Sequence, residues 1–338
     1  MDHQTLVGAL MDPGFYAHPV NGVQYLQTHI SSVFLTGEYA YKLKKPVDFG
    51  FLDFTTPEKR RINCEAEVEL NRRLAPAVYL RVAPICLVDG KPVLDGPGDA
   101  IDSLVVMRQM DNDRLGPEVL ARGELDELKI DSLVEVLAPF YEAARTGEGI
   151  NKYGTIESVK FNTDENFAQT EAFVGTAISR QQFEEIRDRT NGFFENNKEL
   201  FERRINQGRI RESHGDLHLG NVFFEPGRPV IFDCIEFNER FRCGDVAVDL
   251  AFLAMDLDFQ GRPELARRFV DGYIERSGDT ELRLLLDFYR TYRAYVRGKI
   301  ACFTSSDPAL DSKAKEQHLQ LASRYFSLAH GYATKIGS

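Results

Sequence analysis

Residues 213–221 read Ser-His-Gly-Asp-Leu-His-Leu-Gly-Asn, and twelve residues after Asn221 comes Asp233, closing the apolar run Val230-Ile231-Phe232. Asp216 in this run is a carboxylate that could orient a hydroxyl nucleophile and take its proton. Asn221 and Asp233 are hard oxygen donors, which magnesium prefers to nitrogen or sulfur. A proton acceptor and two magnesium ligands are what metal-dependent phosphoryl transfer asks of a protein, because the metal neutralises the phosphates while the base sets the nucleophile in line. Each residue alone would read as a turn former or a cap. Together, with a strand delivering Asp233, they predict Asp216 as base and Asn221 and Asp233 as magnesium ligands.

The same spacing, Asp then four residues then Asn and later a strand-end Asp, is the layout of the protein-kinase catalytic loop. Here His-Gly-Asp stands where protein kinases have His-Arg-Asp, and no Ala-Pro-Glu segment follows Asp233, so a protein kinase is the weaker reading. His214 and His218 lie four apart and could suggest a metal pair on a helix face. Gly215 and Gly220 argue against a helix there, and no third ligand is suitably spaced. His214 is expected to shape the loop, while His218 is open to either a substrate contact or a structural role. Downstream, Gly244-Asp245 and Asp249 open an apolar stretch. Asp245 is expected to cap a helix. Asp249, a carboxylate among apolar neighbours, needs donors and is expected to find them in the catalytic loop.

The elements that must position these residues can be read from periodicity. Val23–Thr28, Val33–Thr36 and Tyr39–Lys44 read as strands, followed by Thr55-Thr56-Pro57-Glu58, a helix-start signal for a helix reaching about Leu74. Tyr79–Leu87, Lys91–Leu94 and Ser103–Gln109 read as further strands, with Asp89-Gly90 as a hairpin turn. Helices are expected at 124–145, 164–173, 181–206, 245–258, 263–277, 281–303 and 311–335, with a short β-rich insert at 209–234. The fold class that results is α+β and bilobal, kinase-like in layout. An antiparallel sheet carrying one helix occupies residues 1–110, and a larger, mostly helical lobe with the catalytic loop and acceptor pocket occupies 111–338.

Within the sheet lobe, Lys42 follows Ala40 by two and shares its strand face, as in the Ala-x-Lys of kinase strands, and is expected to pair with the nucleotide phosphates. Its partner should be Glu67 on the following helix, with Glu65 in reserve. Lys44 shares the face and remains an alternative to Lys42. There is no Gly-x-Gly-x-x-Gly loop and no Gly-x-x-x-x-Gly-Lys-Ser/Thr motif. Ser31 and Ser32, in the turn 28–32, are the remaining candidates for a phosphate clamp, although such serines commonly only form turns. Arg108 and Met110, between the two expected lobes, are candidates for presenting backbone groups to adenine.

The whole chain narrows the classes. A net charge of −11 without a compensating basic block disfavours nucleic acid and anionic membranes and would suit a cationic small-molecule acceptor. Seven acids against two arginines in 233–258 point the same way, toward an acidic acceptor pocket. Five scattered cysteines with no Cys-x-x-Cys pair fit reduced thiols rather than a disulfide framework or a zinc site. No signal-like start and no apolar span are evident, so a soluble, cytoplasmic protein is expected.

On these motifs the chain resembles the aminoglycoside phosphotransferase and choline kinase-like superfamily. The resemblance rests on His214-Gly-Asp-Leu-His-Leu-Gly-Asn221, the strand-end Asp233 and Gly244-Asp245…Asp249-Leu-Ala. Tyr41-Lys42-Leu-Lys-Lys-Pro-Val47, Phe51-Leu-Asp-Phe54 and Glu69-Leu-Asn-Arg-Arg-Leu-Ala-Pro76 are similar to a bacterial branch whose members are often fused to a P-loop ATPase domain. The resemblance implies ATP, Mg2+, a bilobal kinase-like fold, and base, amide and carboxylate at Asp216, Asn221 and Asp233. A small-molecule hydroxyl is the implied acceptor. A nucleotide-binding regulator or pseudokinase is the competing class, disfavoured because the base and both metal ligands are present.

Overall fold

The structure is a computed structural model that describes residues 1–337. It divides into two compact units, one of residues 1–121 with 221–239, the other of 122–220 with the chain from Arg240 onward. The boundary is therefore not a single cut near residue 110. The segment 221–239 belongs to the sheet unit because Phe223 bridges to Leu115 and because Asp233 and Glu236 pair with lysines of the sheet.

The first unit is built on a six-stranded antiparallel sheet of β1 (Gln24–Gln27), β2 (Ser31–Leu35), β3 (Tyr39–Lys44), β4 (Tyr79–Val88), β5 (Lys91–Leu94) and β6 (Ala100–Arg108), in the order β1-β2-β3-β6-β4-β5. Side chains alternate between the two faces of a strand. Tyr41, Leu43, Leu104 and Val106 accordingly pack on one side with Leu6 and Leu10, while Ala40, Val105 and Met107 pack on the other with Cys64 and Val68. Leu6 and Leu10 belong to helix α1 (His3–Leu10), capped by Asp2, whose carboxylate accepts from Thr5 N at 2.8 Å. This helix corrects the expectation of a single helix on the sheet. At two turns it is too short for its apolar pattern to declare a period.

The second face is covered by α2 (Pro57–Asn71), which begins as its sequence announces, with Thr56 as cap and Pro57 in the first turn. Buried Arg60 fixes the helix to β6 through bidentate bonds to Asp102 at 2.8–3.1 Å. A short helix α3 (Gly116–Ala121) and the hairpin Val222–Phe223 with Val230–Ile231 complete this unit.

The second unit is helical: α4 (Glu127–Ala143), α5 (Ile156–Thr170), α6 (Arg180–Asn196), α7 (Lys198–Asn206), α8 (Val246–Phe259), α9 (Pro263–Ser277), α10 (Leu282–Ser305) and α11 (Ser312–Ala333). Five of the seven expected helices fall within three residues of their predicted ends. The helix expected at 164–173 instead starts at Ile156, capped by Thr155. The one expected at 181–206 is broken at Asn197, whose φ of −125° and ψ of 28° are not helical. α8 is buried nearly all round, as a helix apolar on every side must be. At its start, Asp245 caps Ala247 N and also takes a bidentate contact, at 2.7–2.8 Å, from the fully buried Arg204, which pairs with Asp279 as well. Removing one member of such a buried group typically costs about 3–5 kcal/mol, because the partners are left charged and dry. All five cysteines are buried and none forms a disulfide. No helix among the described residues is long and apolar enough to cross a membrane.

Candidate active site

The candidate residues fall into two groups, one in each unit. In the sheet unit, β3 presents Ala40, Lys42 and Lys44 to the face covered by α2. Two ammonium groups on a largely apolar face need counterions, and α2 supplies the fully buried Glu67. Lys42 Nζ donates to Glu67 Oε1 at 2.8 Å and to Asp233 Oδ1 at 2.7 Å. Lys44 Nζ donates to Glu67 Oε2 at 2.6 Å and to Glu236. Glu65 is outside this network, pairing with Arg61 on the exposed side of α2.

The electrostatics follow from the count of partners. Burial works against both ammoniums, yet the carboxylates beside Lys42 and Lys44 outweigh it and hold both lysines above their usual range. Burial pushes the Glu67 carboxyl up, but two lysines overcome it and the net shift is downward. For Glu236, burial and the nearby Glu67 carboxylate prevail over the lysines, and its carboxyl is raised. Lys42 keeps a side-chain exposure of 11% and Asp233 one of 44%, whereas Lys44 and Glu67 are sealed at 0%. Of the two lysines, only Lys42 reaches a solvent-accessible carboxylate.

Asp233 has φ +62°, a left-handed conformation that a non-glycine residue adopts at a cost. Neighbouring bonds hold it there. Its N–H donates to the Tyr79 hydroxyl at 3.2 Å, and the next amide, Cys234 N, donates to Asn71 Oδ1 at 2.8 Å. Asn221 is buried at the end of a 3₁₀ turn, and its carbonyl accepts from Phe232 N at 3.1 Å, tying Asn221 to the strand that leads to Asp233.

The weaker expectations fare differently. Ser31 lies opposite Lys44 and so faces the lysine side, while Ser32 lies opposite Leu43 on the other side. The Ser32 hydroxyl is bonded to Tyr25 at 3.0 Å and lies 3.3 Å from the His3 ring, so the two serines cannot serve one phosphate through their side chains. The amide of Ser31 is also engaged, with Thr28 Oγ1. At the end of β6, Arg108 N bonds Val78 O, so that backbone donor is already taken, and Met110 packs against the α2-side core.

In the helical unit, Asp216 sits in a loop strapped to α8. The Asp249 carboxylate, 1% exposed, accepts from His214 N at 2.7 Å, Gly215 N at 2.9 Å and the Tyr141 hydroxyl at 3.2 Å. The Asp256 carboxylate accepts from Leu219 N at 2.9 Å. Residues seven apart on a helix share a face, so one side of α8 holds both ends of the loop. Gly215, at φ +88°, could not carry a side chain: a Cβ there would stand 2.8 Å from the Phe241 carbonyl oxygen. The histidines also serve the loop. His214 Nδ1 accepts from Asp216 N at 3.2 Å, and His218 Nδ1 accepts from Gly220 N at 3.0 Å. Because the second bond occupies Nδ1 of His218, the ring proton resides on Nε2, which points to Asp216 Oδ2 at 3.4 Å. Burial pushes the Asp216 carboxyl up, but His218, Arg293 and His214 outweigh it and hold the group well below the usual carboxylate range.

The model of the phosphotransferase enzyme family (APH) matches residues 113–285, half of the chain, including the Asp216 loop, Asn221, Asp233 and Asp249. The chain belongs to the APH phosphotransferase family. Uncharacterized proteins of Mycobacterium tuberculosis and Mycobacterium bovis are 37% identical over 327 residues, 93% of this chain, which spans 64% of their length. Among solved structures, the chain is similar in fold to a choline kinase from Cryptosporidium parvum (TM-score 0.56, 9% identity, 98% and 94% of the two chains covered). It is also similar to a choline/ethanolamine kinase family protein from Mesorhizobium loti (0.54, 11%, 97% and 99%) and to aminoglycoside 2'-phosphotransferase-IIIa in its GDP complex (0.53, 13%, 96% and 99%). The fold is thus the protein-kinase-like one of this superfamily.

Three residues that hold the candidate groups, Tyr79 and Glu236 in the sheet unit and Asp256 in the helical unit, escape sequence reasoning. Glu236 and Asp256 carry a faint signal, as acids three residues after Asp233 and seven after Asp249. Tyr79 carries none, since its hydroxyl reaches Asp233 N from β4. The acidic balance of 233–258 also resolves differently from an acceptor-lining pocket. Asp245, Asp249, Asp256 and Asp258 are all engaged inside the helical unit, the last with the Tyr332 hydroxyl. Carboxylates already bonded within the fold are not on offer to a cationic acceptor.

Proposed function

We infer that the protein transfers the γ-phosphoryl group of ATP to a hydroxyl of a small molecule. The observation that carries this reading is the pair of bonds from Lys42, one to a sealed glutamate and one to an accessible aspartate. A lysine so placed can exchange its contact with Asp233 for nucleotide phosphate oxygens while Glu67 keeps it oriented. Asp233 and Asn221 suit magnesium because that ion uses one or two protein oxygens and completes its shell with phosphate and water. Among the described residues no three His, Cys, Asp or Glu side chains converge as a metal-holding group, so the donor set is of the kind that binds a metal together with its nucleotide. When bound, the ion would neutralise the phosphates. Asp216, ionised and aligned by His218 and the α8 carboxylates, would orient the acceptor hydroxyl and take its proton late in the transfer. Asp245 and Asp249 would act through loop geometry rather than chemistry.

Calorimetric titration with Mg2+ and ATP, with GTP in parallel, tests the donor side. ADP release across a panel of hydroxyl metabolites, aminoglycosides included, tests transfer. Asp216→Asn is expected to keep nucleotide affinity within about twofold and to lose transfer by about 10²–10⁴. Asp233→Asn is expected to lose the metal-dependent part of nucleotide binding. An Asp216→Asn protein that turns over a proven acceptor at the wild-type rate refutes the assignment of the base. Preference for GTP would change the donor and leave the residue roles standing.

A further inference from the structure

Lys42 and Glu67 account for one half of the buried ionic network, and the proposed function leaves the other half, Lys44 and Glu236, without a task. Its cost is plain. Lys44 is fully sealed, lies 5.0 Å from the Phe54 ring centroid, and is held by two carboxylates of which one, Glu236, is itself 5% exposed. Apolar residues of similar size would fill that space without a desolvation penalty. The pair is also specific in where it acts. Glu236 lies three residues beyond Asp233, so the segment 233–236 is fastened to β3 at both ends, Asp233 by Lys42 and Glu236 by Lys44. The two lysines in turn share the two oxygens of one carboxylate, Glu67. Between these ends, α2 holds the segment through Asn71 and Cys234 N, and Asn71 Nδ2 donates to the Glu67 carbonyl.

We propose that Lys44 and Glu236 are positioning residues for the metal ligand Asp233. They act as a fixed second ion pair that holds segment 233–236 in register once Lys42 exchanges Asp233 for the nucleotide. The proposal rests on the reading of Asp233 as a magnesium ligand. When Lys42 exchanges its Asp233 contact for phosphate, the first end of segment 233–236 loses its lysine, and the Lys44–Glu236 pair still ties the segment to β3. The network holds three carboxylates, Glu67, Glu236 and Asp233, against two ammoniums. Asp233 is its accessible member, which is where an arriving cation would be met. Supports of this kind around a metal ligand commonly change metal affinity by 10–100-fold when removed.

The test uses the full chain and titrates a non-hydrolysable ATP analogue at a series of Mg2+ concentrations, with melting curves on every sample. Lys44→Met alone would leave Glu236 charged and dry and is expected to melt early. The informative variants are Lys44→Met/Glu236→Gln, which removes both charges, and Glu236→Gln, which keeps the Lys44–Glu67 bond. Both are expected to need at least about tenfold more Mg2+ for half-maximal analogue binding, with binding in EDTA unchanged. Wild-type Mg2+ dependence in Glu236→Gln, beside a weakened Asp233→Asn control, overturns the positioning role and leaves the pair as packing. An Asp233→Asn protein with unaltered Mg2+ dependence instead removes the metal reading itself, whatever the Lys44 variants do.

Discussion

Asp249 offers the sharpest test of the claim that α8 shapes the loop 213–221. Changing it to Asn keeps the size of the side chain but puts an NH2 group where a carboxylate oxygen meets a backbone N–H. His214 N and Gly215 N each donate to a different oxygen of Asp249, so one amide keeps an acceptor and the other faces a donor. A lost hydrogen bond to a charged group is worth about 1.5–3 kcal/mol, and a buried donor left unpaired adds a comparable penalty. Arg293, 7% exposed and 3.7 Å from Asp249 Oδ1, also loses one of its carboxylate neighbours and keeps Asp216. Together these effects place the cost near 3–5 kcal/mol, the range for a buried pair with one partner removed. In a unit of this size 1 kcal/mol moves Tm by about 2–4 °C, so even the lower bound predicts a fall of roughly 6–12 °C. Differential scanning calorimetry measures it, and ADP release from the folded protein reports whether Asp216 is still aligned. The companion change Asp256→Asn touches a single backbone amide, Leu219 N, and is expected to cost about half as much. An Asp249→Asn protein that melts within 2 °C of wild type and turns over normally would refute the strap.

Two further predictions concern the same loop. Gly215→Ala forces a side chain into a left-handed position and against the Phe241 carbonyl; the backbone strain alone is about 1–3 kcal/mol, and displacement of the adjacent Asp216 should lower kcat more than tenfold while nucleotide affinity, measured by calorimetry, is preserved. The second concerns pH. The Asp216 carboxyl is held below its ordinary value of about 3.9, so the stability it contributes is present above that value and is lost as pH falls through the lower folded value. Activity should therefore show no acid limb from Asp216 between pH 5 and 8. His218→Gln removes a group that holds it down and leaves burial pushing up, so the limb should move to higher pH. A wild-type Asp216 midpoint above about 4 by carbon-13 NMR contradicts this account.

The legible part of the molecule was the part written in local spacing. The loop 213–221, the strand before Asp233, the Thr56-Pro57 helix start and the lysine face of β3 all lie within a few residues of their own signals. The pairing of Lys42 with Glu67 could be anticipated because strand period and helix order leave few acids in reach. Lys44 could be weighed against Lys42 only as a rival, because both occupy one face and nothing in the strand says which is sealed.

What tertiary structure decided was which polar groups find each other across long stretches of chain. Ser31 and Ser32 are adjacent in sequence, yet the pleat sends them to opposite faces. The acids of 233–258 form one cluster on paper, but three-dimensional partners take up most of them, Glu236 by Lys44, Asp245 by Arg204, Asp249 and Asp256 by amides of the loop, and leave Asp233 accessible. A local pattern records a residue's chemistry and its period. Whether a carboxylate is left open to a ligand or spent inside the fold depends on the donors that distant segments bring within 3 Å of it. For this chain, the residue types suited to phosphoryl transfer are evident from sequence, and the network that holds them in register is a property of the packed structure.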